Sequence, residues 1–283
     1  MSSDSSIQAL DRYAVFGNPI AQSVSPAIHA AFAQQTGQVM RYDKVLVEAD
    51  EFEAQVRRFF SDGGCGLNIT VPFKQRAWAM AERLSTAAAH AGAVNTLYLD
   101  DGVLCGDNTD GAGLCRDLQH NLGWPLQASR VLLVGAGGAV RGVIGPLLDF
   151  APASLVIANR DVAKATALAE QFAAQAGAAN IELRSCSLAE VGQAFDLVIN
   201  GTSASLAGAI PAIAGSAVNH ARCYDMVYAA TPTPFLHWAA QAGGRSLADG
   251  LGMLVEQAAA AFTLWRGVQP QTAPVIEQLR ATL

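Results

Sequence analysis

The middle third of this chain alternates short apolar segments with alanine-rich stretches, and this alternation limits the possible folds more than any other feature. The apolar segments are residues 131–134, 155–157, 181–183, 197–199 and 223–227. Most of them are hydrophobic at successive positions, which is typical of strands buried on both faces of a parallel sheet. Helical stretches, notably residues 161–175, lie between them. This βαβ rhythm predicts a doubly wound α/β sheet.

The first hundred residues predict a separate α/β unit. Strands are expected at residues 13–16, 45–47 and 67–71, and Asp101-Gly102 predicts a hairpin between residues 97–99 and 103–104. A helix over residues 27–35 should begin after Ser25-Pro26, with Ser25 as its N-cap, and stop at Gly37. A second helix is expected over residues 52–60.

The end of the chain predicts two more helices. A long amphipathic helix follows Gly250, and a closing helix lies around residues 275–279. We expect the closing helix to dock onto the first unit, which makes that unit discontinuous. The expected domains are residues 1–110 together with 248–283, and residues 111–247.

Composition excludes several classes of protein. Hydrophobic residues make up 51% of the chain and charged residues 15%, so a large packed core is expected. The net charge is −6 and no basic stripe is present, so we expect no nucleic-acid partner. No apolar run approaches the ~20 residues of a membrane span, and no signal peptide is visible.

The five cysteines form no CxxC pair, which predicts free thiols in a reducing cytoplasm. The five histidines lie far apart in sequence, without the spacing of metal ligands, so no metal site is expected.

A glycine-rich turn follows the apolar segment 131–134 and opens a helix. Its residues are Gly135, Ala136, Gly137, Gly138 and Ala139. Glycines let the backbone approach a pyrophosphate, and a helix N-terminus supplies free N–H groups. Since Val140 stands at the third glycine position of the usual pattern, a turn without a ligand is the alternative.

The end of the next apolar segment predicts the cofactor. An acid at this place binds the ribose 2′-hydroxyl of NAD, whereas a basic residue accommodates the 2′-phosphate of NADP. Here the sequence reads Asn159-Arg160, with Lys164 one turn into the next helix. These cations favour NADP, although the carboxylate of the adjacent Asp161 would repel a phosphate unless it turns away as an N-cap.

Polar clusters follow other predicted strands. Ser23 and Ser25 place two hydroxyls before a helix, where they suit a small carboxylate, although plain capping is the simpler interpretation. Asn68 and Thr70 lie on one face of a predicted strand and Lys74 follows that strand, although a lone lysine after a strand is usually a surface charge. Asn95 and Asp110 lie in two further polar segments, for which turn chemistry is the alternative.

The chain resembles the shikimate dehydrogenase family over nearly its whole length. The matching segments are Ser23-x-Ser25-Pro26, Asn68-x-Thr70-x-Pro72-x-Lys74, Ala93-Val-Asn95-Thr96, Gly106-Asp-Asn-Thr-Asp110, the turn at Gly135, Asn159-Arg160, Asn200-Gly-Thr-Ser203, Asp225-Met-Val-Tyr228 and Gly250-x-x-Met253-Leu254…Gln257. Gln22 stands where the family commonly has His, and Asp161 where it commonly has Thr.

This resemblance implies a two-domain α/β enzyme with its cleft between an N-terminal substrate lobe and a Rossmann-like NADP-binding lobe. It would reduce 3-dehydroshikimate reversibly to shikimate with NADPH, in the cytoplasmic pathway to chorismate and the aromatic amino acids. A monomer or a homodimer is expected.

The resemblance also implies the site residues. The catalytic pair would be Lys74 and Asp110. The substrate would be held by Ser23, Ser25, Thr70, Asn95, Asp110, Tyr228 and Gln257. NADP would be held by Gly135, Ala136, Gly137, Gly138, Ala139, Asn159, Arg160, Lys164, Met226 and Gly250.

The chemistry of the residues agrees with that assignment. Hydride transfer to a ketone leaves an alkoxide that must gain a proton, and the ammonium of Lys74 could stabilise the charge and donate the proton, oriented by Asp110. Three alternatives stay open: a relative that also oxidises quinate or uses NAD, a non-catalytic module that senses NADP(H), and a folate-linked dehydrogenase.

Overall fold

The first of two six-stranded sheets is mixed. The computed structural model describes residues 10–283. The strands of the first sheet are β1 (Asp11–Gly17), β2 (Met40–Leu46), β3 (Gly64–Ile69), β4 (Arg83–Leu84), β5 (Thr96–Asp100) and β6 (Val103–Asp107), in the order β2-β1-β3-β5-β6-β4. The pairs of β3 with β5 and of β5 with β6 are antiparallel, and the others are parallel. Both residues of the predicted Asp101-Gly102 turn have positive φ, as a tight hairpin requires.

Four helices accompany this sheet. They are α1 (Ser25–Thr36), α2 (Phe52–Ser61), α3 (Lys74–Met80) and α4 (Thr86–Ala91). Helix α1 stops at Gly37, which adopts the left-handed conformation as expected. The predicted cap is wrong by one position, because Val24 is the N-cap and Ser25 lies in the first turn.

The second sheet is parallel throughout and confirms the doubly wound prediction. Its strands are β7 (Arg130–Val134), β8 (Ser154–Asn159), β9 (Glu182–Ser187), β10 (Leu197–Asn200), β11 (Arg222–Asp225) and β12 (Ser246–Asp249). The order β12-β11-β10-β7-β8-β9 reverses direction next to β7, which is where open α/β sheets bind dinucleotides. Strand β12 was not predicted from the sequence, because this edge strand is short and only partly buried.

Six helices complete the described chain. They are α5 (Asp110–Arg116), α6 (Gly138–Leu148), α7 (Val162–Ala178), α8 (Pro234–Gln241), α9 (Leu251–Arg266) and α10 (Ala273–Thr282). A π-helical turn, Asp117–Asn121, continues α5.

The C-terminal helices return to the first unit. Ile28 and Phe32 of α1 share a buried cluster with Phe262 of α9 and Leu279 of α10. This packing agrees with the expected docking of the closing helix. The expected boundary at residue 248 falls inside β12, and the division into domains stays a prediction.

His29 of α1 lies in an aromatic cluster within this packing. Its ring is fully buried and stacks on Tyr42, with 4.1 Å between the ring centroids, while Phe32 meets it edge-on. Burial lowers the pKa of His29 to about 3, an effect that the neighbouring Asn68 side chain partly offsets. The folded protein therefore holds this imidazole neutral.

We predict that His29 makes folding sensitive to mild acid. Between pH about 6.5 and about 3 the unfolded chain binds a proton at this residue that the folded chain does not, so stability falls as pH falls. From pH 7.5 to 5.5 the wild type should lose about 1 kcal/mol of unfolding free energy more than His29→Phe does. Urea denaturation of both proteins at the two pH values measures this, and equal losses would contradict it.

Candidate active site

A cleft of about 300 Å³ lies between the first sheet and the loop that follows β11. It is lined by every residue for which a catalytic or substrate-binding role was predicted, namely Lys74, Asp110, Ser23, Ser25, Thr70, Asn95, Tyr228 and Gln257. Met226 and Gly250, predicted to contact the cofactor, line the same cleft. The fold therefore brings together side chains that lie far apart in sequence.

Lys74 and Asp110 form an ion pair in this cleft. Lys74 is the first residue of α3 and Asp110 the first residue of α5, and Nζ lies 2.6 Å from Oδ2. The lysine side chain is 28% exposed and the aspartate side chain 12%. The amine is thus held by a carboxylate while it stays accessible to a small molecule.

Asn95 fixes the other oxygen of that carboxylate. Its Nδ2 donates to Asp110 Oδ1 at 2.9 Å and to Thr109 Oγ1 at 2.9 Å, and its Oδ1 accepts from the Thr109 backbone N–H at 2.9 Å. Both carboxylate oxygens of Asp110 therefore have a fixed partner, which limits the movement of Lys74 as well. Gln257 Oε1 lies 3.3 Å from Asn95 Nδ2 and links this group to α9.

Tyr42 is linked to Asn95 through the side chain of Asn68, and the sequence did not predict this role. Its hydroxyl donates to Asn68 Oδ1 at 2.7 Å, and Asn68 Nδ2 donates to Thr96 Oγ1 at 3.2 Å and to the backbone of Asn95. Burial raises the pKa of Tyr42, so the hydroxyl stays protonated as a donor. Only the fold reveals this role, because Tyr42 lies between charged residues in a strand that reads as exposed.

Two hydroxyls face the cleft at the start of α1. Ser23 Oγ donates to Ser25 Oγ at 3.2 Å and accepts from the Ser25 backbone N–H at 3.3 Å. Tyr228 lines the same cleft, and burial raises the pKa of its hydroxyl. Hydroxyl donors at a helix N-terminus favour a carboxylate ligand.

The glycine-rich turn lies outside this cleft. One of its glycines is required by the backbone conformation and close packing, and two others leave the backbone exposed. Gly135 has φ +115°, and a Cβ there would lie 3.1 Å from Val140 Cγ2 and 3.2 Å from Thr202 Cγ2. Gly137 and Gly138 are exposed, and among residues 10–283 no atom would lie within 4 Å of a Cβ on either. No side chain of the described chain caps α6. The exposed backbone and free amides fit a pyrophosphate group.

Two cations and one acid meet at the end of β8, beside that turn. The Gly135 N–H donates to the carbonyl of Ala158, which places the turn against β8. Arg160 is exposed, and Lys164 Nζ lies 3.9 Å from Asp161 Oδ2. Asn159 Nδ2 donates to the Asp161 carbonyl at 2.9 Å. Asp161 occupies the N-cap position of α7, but within the described range its side chain caps no backbone N–H.

Met226 follows a buried acid for which the sequence predicted no role, and its backbone N–H donates to the Asn200 carbonyl at 2.9 Å. Asp225 is fully buried, and burial raises its pKa. Its carboxylate accepts from the side chains of Asn200, Ser205 and Thr233 and from the Val227 N–H. A Cβ on Gly250 would overlap the Met226 carbonyl, so only glycine fits at this position.

Two kinds of feature are absent from the part of the chain that the structure describes. Over residues 10–283, no group of three or more His, Cys, Asp or Glu side chains is arranged to hold a metal ion. In the same range, no helix has the length and hydrophobicity needed to cross a bilayer.

Three family models match successive parts of the chain. They describe a shikimate dehydrogenase substrate binding domain at residues 15–97, a shikimate / quinate 5-dehydrogenase at residues 117–221, and a shikimate 5'-dehydrogenase C-terminal domain at residues 250–280. The Gly-rich turn and the residues after β8 fall in the second match.

Individual relatives match almost the full length. Shikimate dehydrogenase (NADP(+)) of Alkalilimnicola ehrlichii is 55% identical over 271 residues, which are 95% of this chain and 98% of that protein. The crystal structure of shikimate 5-dehydrogenase from Thermus thermophilus in complex with NADP(H) and shikimate is 32% identical, with a TM-score of 0.85 and coverage of 97% and 100%.

A further structure shares the fold under a different name. The ligand-free 5-ketofructose reductase of a Gluconobacter strain has a TM-score of 0.85 at 26% identity, covering 97% of this chain and 99% of that one. The fold alone thus does not define the substrate, whereas the identity to the first relative and the family models do define the family. This chain belongs to the shikimate dehydrogenase family of NADP-dependent oxidoreductases.

Proposed function

We propose that this enzyme interconverts 3-dehydroshikimate and shikimate with NADP. The observation that carries the proposal is the Lys74–Asp110 ion pair, which lies in a cleft lined by hydroxyl and amide side chains. The cleft volume of about 300 Å³ suits a small ring acid rather than a polymer.

The Lys74 amine donates or accepts the proton that the reaction requires. In the reducing direction NADPH supplies the hydride. The ammonium of Lys74 donates a proton to the substrate oxygen as negative charge develops there, and in the oxidising direction the neutral amine accepts the hydroxyl proton. Asp110, fixed by Asn95, keeps Nζ directed into the cleft.

The remaining cleft residues hold the substrate. Ser23 and Ser25 donate to its carboxylate at the start of α1. The ring hydroxyls are bound by Thr70, Asn95, Asp110, Tyr228 and Gln257. Because these groups come from several elements, the acid is held in one orientation with its reacting carbon beside Lys74.

The residues of the second sheet hold the cofactor. Gly135, Ala136, Gly137, Gly138 and Ala139 bind the pyrophosphate through their backbone. Asn159, Arg160 and Lys164 bind the adenosine end with its 2′-phosphate, and Met226 and Gly250 bound the nicotinamide side.

Context follows from the same assignment. We place the reaction in the biosynthesis of chorismate and the aromatic amino acids. The five cysteines are free thiols, which supports a cytoplasmic location. The substrate-binding domain comprises residues 1–110 and 248–283, and the NADP-binding domain residues 111–247.

A second candidate is a quinate/shikimate dehydrogenase that also uses NAD. Its support is the carboxylate of Asp161, which lies between Arg160 and Lys164 where a 2′-phosphate would bind. Quinate differs from shikimate by a hydroxyl and a saturated ring carbon, so one or two contacts decide between the acids.

A panel of two acids and two cofactors tests the proposal. Oxidation of shikimate and quinate is measured with NADP⁺ and with NAD⁺ at one enzyme concentration, by nicotinamide absorbance. We expect the highest kcat/KM with shikimate and NADP⁺. Comparable values for quinate or NAD⁺ would favour the second candidate, and tight NADPH binding without turnover of either acid would indicate a non-catalytic sensor.

We predict that Lys74→Ala separates binding from catalysis. The variant should bind shikimate with nearly wild-type affinity, measured by calorimetry, while kcat falls about 10²–10⁴-fold, because a positioned proton donor is lost. Asp110→Asn keeps the shape of the side chain and one acceptor oxygen, so its kcat should lie between those of the wild type and Lys74→Ala. A wild-type kcat in Lys74→Ala would remove the lysine from the mechanism.

We predict that Asp161 weakens the preference for NADP. Asp161→Asn should lower the Kd for NADP⁺ about 1.4- to 5-fold, since an exposed charge near a phosphate contributes about 0.2–1 kcal/mol. The Kd for NAD⁺ should not fall. Glu170→Gln is the matched control, because it removes an equal charge from an exposed position farther along α7. Equal shifts in both variants would contradict a local effect.

A further inference from the structure

A buried hydrogen-bond cluster beneath the cleft joins α5, α9 and β11. Tyr224 lies in β11 and is fully buried. Its hydroxyl donates to Asp117 Oδ2 at 2.7 Å and accepts from the backbone N–H of Met253 at 3.3 Å. One side chain of the second sheet is therefore hydrogen-bonded to α9 and to the turn that continues α5, and both of these helices carry cleft residues.

Each helix has a cleft side chain within two turns of this contact. Asp110 begins α5, and Asp117 follows seven residues later, which places both on one helix face about 10 Å apart. Gln257 follows Met253 by four residues, one turn along α9. Only helical backbone separates the Tyr224 hydroxyl from Asp110 and Gln257.

Helix α5 and the turn that continues it pack closely against α9. A Cβ on Gly252 would overlap the Asp117 carboxylate, and a Cβ on Gly113 would lie 2.7 Å from Gln257 Cβ. Asp117 is buried, and burial raises its pKa, while Asn121 Nδ2 also donates to it at 2.9 Å. A shift of either helix would therefore break a hydrogen bond or create a clash.

We propose that Tyr224 and Asp117 are positioning residues for hydride transfer. Met226 and Tyr228 line the cleft from the loop after β11. Asp110 lines it from α5, and Gln257 lines it from α9. The Tyr224 hydroxyl fixes these two sets of groups relative to each other. The inference rests on the proposed function, because it concerns the chemical step of that reaction.

The test compares Tyr224→Phe with Val198→Ala. The first variant removes only the hydroxyl. The second removes buried atoms from the adjacent strand β10, in the cluster on the opposite face of the sheet, and serves as the stability control. For both we measure melting temperature, kcat, KM for shikimate, Kd for NADP⁺, and amide hydrogen exchange over residues 110–117 and 251–257.

Tyr224→Phe should lower kcat about 10- to 100-fold, the cost of a misplacement of about 1 Å, and change KM and Kd less than about 3-fold. The exchange of both helix segments should accelerate. Val198→Ala should lower the melting temperature but leave kcat and these segments unchanged. Asp117→Asn keeps an acceptor for the Tyr224 hydroxyl and should retain more kcat than Tyr224→Phe.

Two outcomes are decisive. A Tyr224→Phe enzyme with the kcat and exchange of Val198→Ala would overturn the inference, because its hydroxyl would then serve stability alone. If the wild type fails to oxidise shikimate, the proposed function fails instead. The exchange comparison still decides whether Tyr224 holds both helices in that case.

Discussion

The ion pair between Lys74 and Asp110 is the contact on which the site depends. It joins residues 36 positions apart, and each is the first residue of its helix. A mostly buried pair of this kind contributes little net stability by itself, because the cost of desolvating both charges offsets their attraction. Its geometry therefore comes from what holds the two helices, and for Asp110 this is the amide of Asn95 on one side and the packing of α5 against α9 on the other. The position of the Lys74 amine thus depends on Asn95 and on the packing of α5 against α9.

The local pattern of the sequence predicts the elements well, because it depends on near neighbours. The apolar segments became the strands of a parallel sheet, and Asp101-Gly102 became the hairpin turn. The edge strand β12 gave no such signal, because a short strand that is half in contact with solvent lacks a continuous apolar run. The resemblance to the shikimate dehydrogenase family is confirmed, whereas the roles of individual site residues stay predictions.

The support of the site could not be predicted, because it consists of contacts between distant residues. Tyr42 and Asn68 are 26 positions apart, and Tyr224 and Asp117 are 107 apart. No spacing rule relates such pairs, and a buried tyrosine usually reads as core packing. The close contact at Gly113 and Gly252 could not be predicted either. A glycine within a helix is required only where another chain segment lies within contact distance, and the sequence does not show that distance. Sequence patterns therefore find the groups that touch a ligand more readily than the groups that hold them.

The two functional ends of the molecule are constrained to different degrees. Asp110 is held by two hydrogen-bonded partners and lies on a helix that packs against its neighbour at two glycines. Arg160, Asp161 and Lys164 are exposed, and their contacts are local to the end of β8. A substitution among these three changes the local charge without disturbing the core, whereas a substitution near Asp110 displaces its ion pair with Lys74. The proposed choice between NADP and NAD thus depends on exposed side chains, whereas the proposed proton transfer depends on a pair held by buried packing.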